Sequence, residues 1–190
     1  TSFFTGGTLD LYESKVTEYF DNGEEMEIVT TYGYDYNNHY NLVSTLTTNS
    51  FGETSETKYL YAPNISNQQL MAKNMVGIPL KTETFKNGEK LSTVETIYND
   101  WGNNLLAPEI IRTAKGDLQL EDRIKYLEID NINGNPLEVK QEGGIHICYI
   151  WGYNKTQPIA KIENATYAEV QPYEANLQML SNGNNEQNLI

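Results

Sequence analysis

Apolar and polar residues alternate along most of the chain, and short clusters of Asn and Gly interrupt the alternation. The stretch 123–163 shows this pattern most clearly. Its runs rich in Ile, Val, Leu and Tyr are separated by three turn segments, at 130–135 (DNINGN), 142–144 (EGG) and 151–155 (WGYNK). Asn and Gly tolerate positive φ, and a period of two residues is typical of strands. The stretch therefore predicts four antiparallel strands joined by three tight turns.

The same succession of strand and turn extends upstream to Leu9, so the chain is built from repeats. We therefore expect an all-β fold, a meander of about eleven antiparallel strands that forms an open curved sheet or strip. The β-hairpin array is predicted to cover residues 1–163. Further turns are predicted at 21–23 (DNG), 49–52 (NSFG), 86–89 (KNGE), 99–104 (NDWGNN) and 114–117 (AKGD).

Two segments predict helices. Ser66 is placed to cap a short helix inserted at about 66–75, and Asn164 is placed to cap a helix in the C-terminal segment 164–190. Pro172 predicts that this second helix is divided in two, because proline lacks the backbone N–H that a helix interior needs. The predicted apolar stripe of the C-terminal helix consists of Tyr167, Val170, Tyr173 or Glu174, Leu177 and Leu180, and a disordered polar tail is predicted for 181–188.

Charge and composition restrict the partners of the chain. A net charge of −13, from 26 acidic and 13 basic residues, repels a phosphate backbone, so nucleic acid is not an expected partner. The 14 Tyr suit strands that expose one face to water, and the 22 Asn and 14 Gly favour turns over long helices. No apolar run predicts a membrane-spanning helix, which takes about 20 residues.

The N-terminal sequence and the cysteine content leave the compartment open. The first residues, TSFFTGGT, lack the basic start and apolar core of a signal peptide. The chain begins without Met, so we expect it to be an internal piece of a longer protein. The lone Cys148 has no partner for an intramolecular disulfide, which fits reducing and oxidising compartments equally.

Several predicted turns share one sequence pattern. The stretches 32–35 (YGYD), 97–103 (IYNDWGN), 127–137 (LEIDNINGNPL) and 149–154 (YIWGYN) carry this pattern. They resemble the YD repeat, a motif of Tyr-Asp, about two residues, and Gly-Asn. The stretch 149–170 (YIWGYNKTQPIAKIENATYAEV) is similar to the C-terminal repeat region of large Rhs/YD-repeat proteins from Bacteroidetes. The resemblance covers roughly residues 10–170, with irregular spacing and with Ile129 in place of Tyr. The repeat-turn residues are Tyr34, Asp35, Asn99, Asp100, Gly102, Asn103, Asp130, Gly134, Asn135, Gly152 and Asn154.

In that family the repeats form a β-strip that spirals into a hollow shell, and the shell often encloses a variable C-terminal toxin. The resemblance therefore implies a scaffold that is secreted or displayed at the bacterial surface, without chemistry of its own. The rest of the same long polypeptide is the implied partner. An open strip also leaves unpaired edges, which could associate with another copy or another protein.

Histidine, cysteine and acidic residues offer few candidates for catalysis or metal binding. His146 and Cys148 share a strand face and could supply two zinc ligands, but the sequence places no third ligand nearby. A Cys148 nucleophile with His39 as base would need a proximity that nothing in the sequence predicts. The turn at 130–135 lacks the alternating carboxylates of a calcium loop. We therefore expect no catalytic residue, metal or cofactor.

Acidic pairs are a further alternative, because glycosidases use two carboxylates. Glu24 with Glu25, and Glu138 with Glu142, are such pairs. Lys140 lies between Glu138 and Glu142 on the same strand face, which is typical of a solvated surface. Glycosylation acceptor patterns at 64–66, 154–156 and 164–166 are expected by chance in a chain so rich in Asn.

Aromatic residues near the turns leave open a second function, that of a carbohydrate-binding module whose rings stack on sugars. The same rings can instead pack against neighbouring hairpins, and packing is the favoured interpretation. The candidate stacking residues are Tyr98, Trp101, Tyr149, Trp151 and Tyr153.

Overall fold

In a computed structural model of the protein, residues 10–183 are described, so the predictions for Leu9, for the first eight residues and for 184–188 lie outside the described residues. Within this range, eleven strands form one open antiparallel meander in which each strand pairs with the next along the chain. This confirms the predicted all-β fold. The strands are β1 Glu13–Tyr19, β2 Glu25–Tyr34, β3 Leu42–Asn49, β4 Thr54–Leu60, β5 Lys81–Lys86, β6 Glu89–Asp100, β7 Leu106–Lys115, β8 Glu121–Ile129, β9 Pro136–Gln141, β10 His146–Gly152 and β11 Gln157–Glu163.

The predicted hairpin turns lie where the Asn and Gly clusters placed them. Between β5 and β6, Asn87 and Gly88 have φ values of 51° and 80°, the left-handed conformation that a two-residue type I′ turn requires. Between β9 and β10, Gly143 and Gly144 have φ values of 87° and 89°. Turn chemistry therefore sets the register of these hairpins.

Residue contacts divide the chain into two compact units. Among the described residues, the first unit contains those up to Val94 together with Ala114–Leu118, and the second contains Glu95–Thr113 together with those from Gln119 onward. The buried apolar residues of the first unit are Tyr61, Ala62, Leu70, Leu80 and Ala114. The core of the second unit consists of Cys148, Ile150 and Val170, with partly buried apolar residues packed around them.

In the first unit, strands β3 to β5 carry polar side chains on both faces. Thr45 lies opposite Thr57, which lies opposite Thr84, so hydroxyls form a row across three strands. On the other face, Lys58 pairs with Glu56, and its ammonium group lies 4.8 Å from the ring centroid of Phe85. The threonine row and the contact of Lys58 with Phe85, and not a continuous apolar layer, connect the strands in this part of the sheet.

The short inserted helix is confirmed as α1, Gln68–Ala72, but its predicted cap is wrong by one residue. Asn67 is the N-cap, and its Oδ1 accepts a hydrogen bond from the Leu70 N–H at 3.1 Å. Ser66 has a φ of 54° and therefore lacks the extended backbone that a capping residue adopts. Leu70 is the buried residue of this helix.

The C-terminal helix α2 spans Tyr167–Asn182 as one continuous helix, so the predicted division at Pro172 is wrong. Packing explains the continuity, because Val170, on the turn before the proline, is buried against β10. The predicted cap Asn164 is wrong as well. Thr166 is the N-cap and forms a capping box with Glu169. The predicted disorder is wrong for Ser181, which belongs to the helix and is 1% exposed.

Pro172→Ala should stabilise the protein. An interior proline removes one helical hydrogen bond and crowds the preceding turn, so we expect a gain of about 1–3 kcal/mol in the free energy of unfolding, measured in urea. Gln171→Ala, at the neighbouring exposed position, serves as the control and should change stability by less than about 0.5 kcal/mol. Equal effects of the two substitutions would contradict this account of α2.

Candidate functional site

Side-chain oxygens of Asp and Asn hold the chain reversals by accepting the N–H two residues further on. Asp100 Oδ1 accepts from Gly102 N at 2.9 Å, and Asp130 Oδ1 accepts from Ile132 N at 3.0 Å. This Asx turn gives the repeat-turn aspartates a structural role. The same bond is formed by Asn22 with Glu24, Asp35 with Asn37, Asn49 with Phe51, and Asn133 with Asn135.

Asp130 also forms an ion pair with a lysine of the last hairpin. Lys155 Nζ lies 2.6 Å from Asp130 Oδ2, and the Lys155 carbonyl accepts a hydrogen bond from Asn135 Nδ2 at 2.7 Å. Burial acts to raise the pKa of Asp130, but the hydrogen bond from Lys155 and those from the turn backbone leave it lowered. The carboxylate is therefore ionised at neutral pH and already has a cationic partner.

In the first unit, Asp35 organises the turn between β2 and β3. Hydrogen bonds from the Asn38 side chain, and then from turn N–H groups, lower the pKa of Asp35. His39 Nε2 lies 3.3 Å from Asp35 Oδ2 and 3.2 Å from Asn64 Oδ1, while His39 Nδ1 accepts from the Asn41 N–H. This arrangement fits a neutral imidazole that acts as a structural donor.

The other repeat-turn residues have varied roles. Gly102, Gly134, Asn103 and Asn154 have φ values of 87°, 82°, 47° and 56°. Tyr34 donates its hydroxyl to the Leu11 carbonyl at 3.3 Å, and Asn99 donates its side-chain amide to Glu109 at 3.2 Å. Gly152 does not have a positive φ. Its lack of a side chain instead permits the close approach of Ser181 in α2.

The five candidate stacking residues are all half-buried. The Trp101 indole N–H donates to the Ala107 carbonyl at 3.3 Å, and the Trp151 indole N–H donates to the Pro136 carbonyl at 2.8 Å. Burial raises the pKa of Tyr98. Tyr149 belongs to β10, and the Tyr153 N–H donates to Ser181 Oγ at 3.1 Å. The two tryptophans therefore use their polar groups within the fold.

A more exposed aromatic group lies in the turn between β2 and β3, where the sequence analysis placed no stacking residue. Tyr36 is 52% exposed and Tyr40 is 65% exposed. The Tyr36 ring centroid lies 5.8 Å from that of Tyr34 and 6.1 Å from that of Tyr40. Tyr40 has a φ of 58°, which is uncommon for a bulky residue. The sequence signal was present, since both tyrosines follow the Tyr34-Asp35 pair closely.

The start of α2 is anchored by a buried carboxylate on β9. Glu138 is 6% exposed, and its Oε2 accepts the Tyr167 N–H at 2.7 Å. Its other oxygen lies 2.5 Å from His146 Nδ1. The expectation that Glu138 and Glu142 lie on one solvated surface is therefore wrong for Glu138. The first N–H groups of a helix need acceptors, and the sequence does not reveal which strand supplies one.

Cys148 lies beside this anchor as a buried structural thiol. It is fully buried, and its Sγ donates to the Ala165 carbonyl at 3.0 Å. Burial, with the nearby charges of Glu138 and Glu169, raises the pKa of Cys148 to about 11. Because the thiolate is the nucleophile, the thiol is unreactive at neutral pH. His39, the residue considered as a base for a Cys148 nucleophile, belongs to the first unit, whereas Cys148 belongs to the second.

The end of α2 is anchored at the β10–β11 turn. Ser181 Oγ accepts the Tyr153 N–H at 3.1 Å, and Asn182 Oδ1 accepts the Asn154 N–H at 2.6 Å. A Cβ atom at Gly152 would lie 2.7 Å from Ile159 Cγ2 and 2.8 Å from Ser181 Cβ, so only glycine permits this approach. The stretch 149–170, with its contacts to the end of α2, therefore forms a helix-docking hairpin.

An apolar groove of about 560 Å³ lies between α2 and the last two strands. Ile150 and Ile162 contribute from the strands, and Val170 and Leu177 contribute from the helix. Tyr173 also lines the groove and is 67% exposed. This arrangement can accept an apolar side chain but offers no converging set of catalytic groups.

Within residues 10–183, no three His, Cys, Asp or Glu side chains are arranged to hold a metal ion. No helix in the same range is long and apolar enough to cross a membrane. No protein-family model matches the chain, and a search of curated proteins finds no related sequence.

Glu138→Ala should destabilise the protein far more than Glu142→Ala. Removing Glu138 leaves the Tyr167 N–H and the His146 ring without their acceptor, which should cost about 2–4 kcal/mol. Glu142 forms an exposed ion pair with Arg123, which should contribute less than about 1 kcal/mol. Unfolding in urea measures both variants. Similar losses for the two would show that Glu138 does not anchor α2.

Proposed function

We propose that the chain is a non-enzymatic structural and interaction module, part of a larger secreted or surface-attached bacterial protein of the YD-repeat type. The observation that carries the proposal is the series of Asx turns joining strands that pair only with their sequence neighbours. Such an array can be extended by adding hairpins at either edge. Its partner would then be the rest of the same polypeptide.

The chemistry of the described residues supports a scaffold over an enzyme. Asp35 and Asp130 are held by turn and side-chain donors, and Glu138 anchors a helix. Cys148 is a buried, protonated thiol. A catalytic acid or nucleophile needs access to a substrate, and these groups are used within the fold. A hydrolytic activity that survives purification and falls on a single Glu→Gln change would overturn the proposal.

Edge strand β1 should mediate self-association of the isolated chain. Among residues 10–183 it pairs only with β2, and Val16 and Tyr19 are 53% and 78% exposed. β1 also carries Glu13, Lys15 and Glu18, but the unpaired backbone groups of an edge strand can still recruit another strand. Light scattering over a dilution series should show oligomers that Val16→Lys and Tyr19→Lys reduce, because lysines on an edge strand disfavour pairing with another strand.

Phe51→Lys is the control for that experiment, because Phe51 is 77% exposed in a turn and not on the edge strand. It should leave association unchanged. A chain that stays monomeric at high concentration, whatever the residue at 16 or 19, would argue against an open strip that extends by strand pairing.

A second candidate function is carbohydrate binding, and the exposed rings of Tyr36 and Tyr40 favour it. They lie beside a turn rich in side-chain amides, and sugars combine apolar ring faces with hydroxyl groups. These tyrosines are more accessible than the half-buried Trp151 and Tyr153.

A glycan array separates the two functions. A scaffold should give no saccharide signal, whereas a binding module should give signals that Tyr36→Ala or Tyr40→Ala abolishes. Tyr19→Ala, which removes an exposed ring elsewhere, should keep them. Signals lost on Trp151→Ala or Tyr153→Ala, but kept without Tyr36, would instead favour the stacking residues predicted from the sequence.

A further inference from the structure

Two lysines face each other across neighbouring strands of the second unit. Lys125 in β8 lies opposite Lys140 in β9, and Lys140 lies opposite His146 in β10. Directly opposed residues of an antiparallel pair have Cβ atoms about 5 Å apart, and like charges at such positions destabilise the sheet. The two lysines therefore concentrate positive charge in a chain whose net charge is −13.

Lys140 has no carboxylate within ion-pair distance among residues 10–183. Glu138, two residues earlier in β9, is used by His146 and by the Tyr167 N–H. Its alkyl stem lies over the adjacent turn, because a Cβ at Gly144 would be 3.9 Å from Lys140 Cε. Lys140 is thus a half-buried residue whose ammonium group forms no ion pair within the described range.

Lys125 is only partly neutralised. Its Nζ lies 2.8 Å from Asp122 Oδ2, but Asp122 Oδ1 also lies 2.8 Å from Arg112 Nε. Hydrogen bonds first from Lys125 and then from Arg112 lower the pKa of Asp122, so one carboxylate serves two cations. Arg123, the next cation in the area, is paired with Glu142.

These residues line a depression of about 270 Å³ beside the β9–β10 turn. Its cationic lining comes from Arg123, Lys125 and Lys140, and its acidic lining comes from Asp122 and Glu142. A charged concavity of this size admits a small anion, whereas the acidic protein as a whole repels a long polyanion.

We propose that this depression binds a single oxyanion group, a carboxylate, sulfate or phosphate, between the ammonium groups of Lys125 and Lys140. The anion would relieve the repulsion between the opposed lysines and supply the counter-charge that Lys140 lacks. Binding of this kind stabilises the folded state in proportion to occupancy. The site does not depend on the scaffold function and is not part of it.

The test is thermal unfolding of the whole chain with added sodium sulfate, phosphate or acetate, at an ionic strength kept constant with NaCl. The Tm of the native chain should rise with oxyanion concentration and then reach a plateau. Lys140→Gln should raise Tm by roughly 2 °C without oxyanion, because the repulsion is removed, and should lose the saturable increase. Lys125→Gln should also weaken the increase.

Lys115→Gln removes an exposed lysine of the first unit as a control, and it should keep the full response to oxyanions. A second readout is the shift of the Gly143 and Gly144 amide signals in NMR titrations, which the Lys140 variant should abolish. Glucuronate compared with glucose and acetate identifies the source: tighter binding of glucuronate indicates an acidic sugar, and equal binding of acetate indicates a free anion.

Two results would overturn the proposal. One is a saturable increase that Lys140→Gln leaves intact. The other is a Tm that rises without saturation and equally in every variant, because this is the general effect of sulfate and phosphate exclusion from protein surfaces.

Discussion

The hydrogen bond from a backbone N–H to an Asp or Asn oxygen two residues earlier is the interaction on which the sheet depends. It fixes the reversal at 100–102 and again at 130–132, and similar bonds recur in the turns of the first unit. Each reversal directs the chain into the next strand in register, and this geometry explains Asn22, Asn49 and Asn133.

Polar anchors also determine where the one long helix lies. Glu138 accepts a hydrogen bond from the first N–H of the helix, and the Ser181 and Asn182 side chains accept hydrogen bonds from backbone N–H groups of the β10–β11 turn. Between these ends, Val170 packs on Cys148 and Ile150. An apolar stripe alone would allow α2 to slide along the sheet, whereas directional hydrogen bonds at both ends hold it in one position.

Local signals predicted the fold well, and long-range contacts could not be predicted. The strands, their order and the hairpin turns follow from alternation and from residues such as Asn87-Gly88, whose preferences act over a few positions. The continuity of α2 through Pro172 depends on burial of Val170, and the burial of Glu138 depends on a helix 29 residues away. Tyr36 and Tyr40 could be located beside the Tyr34-Asp35 pair from the sequence, but the exposure of their rings depends on the conformation of the turn.

Pairing of each strand with its sequence neighbour also has a kinetic consequence. Low contact order favours fast folding, because each pairing closes only a short loop before its contacts form. Here each strand after the first pairs with the strand that precedes it in the sequence. The sheet can therefore grow in the direction of synthesis as the chain leaves the ribosome. A long array of this kind avoids the search for distant partners that slows most β-proteins, and its assembly time grows with the number of hairpins added.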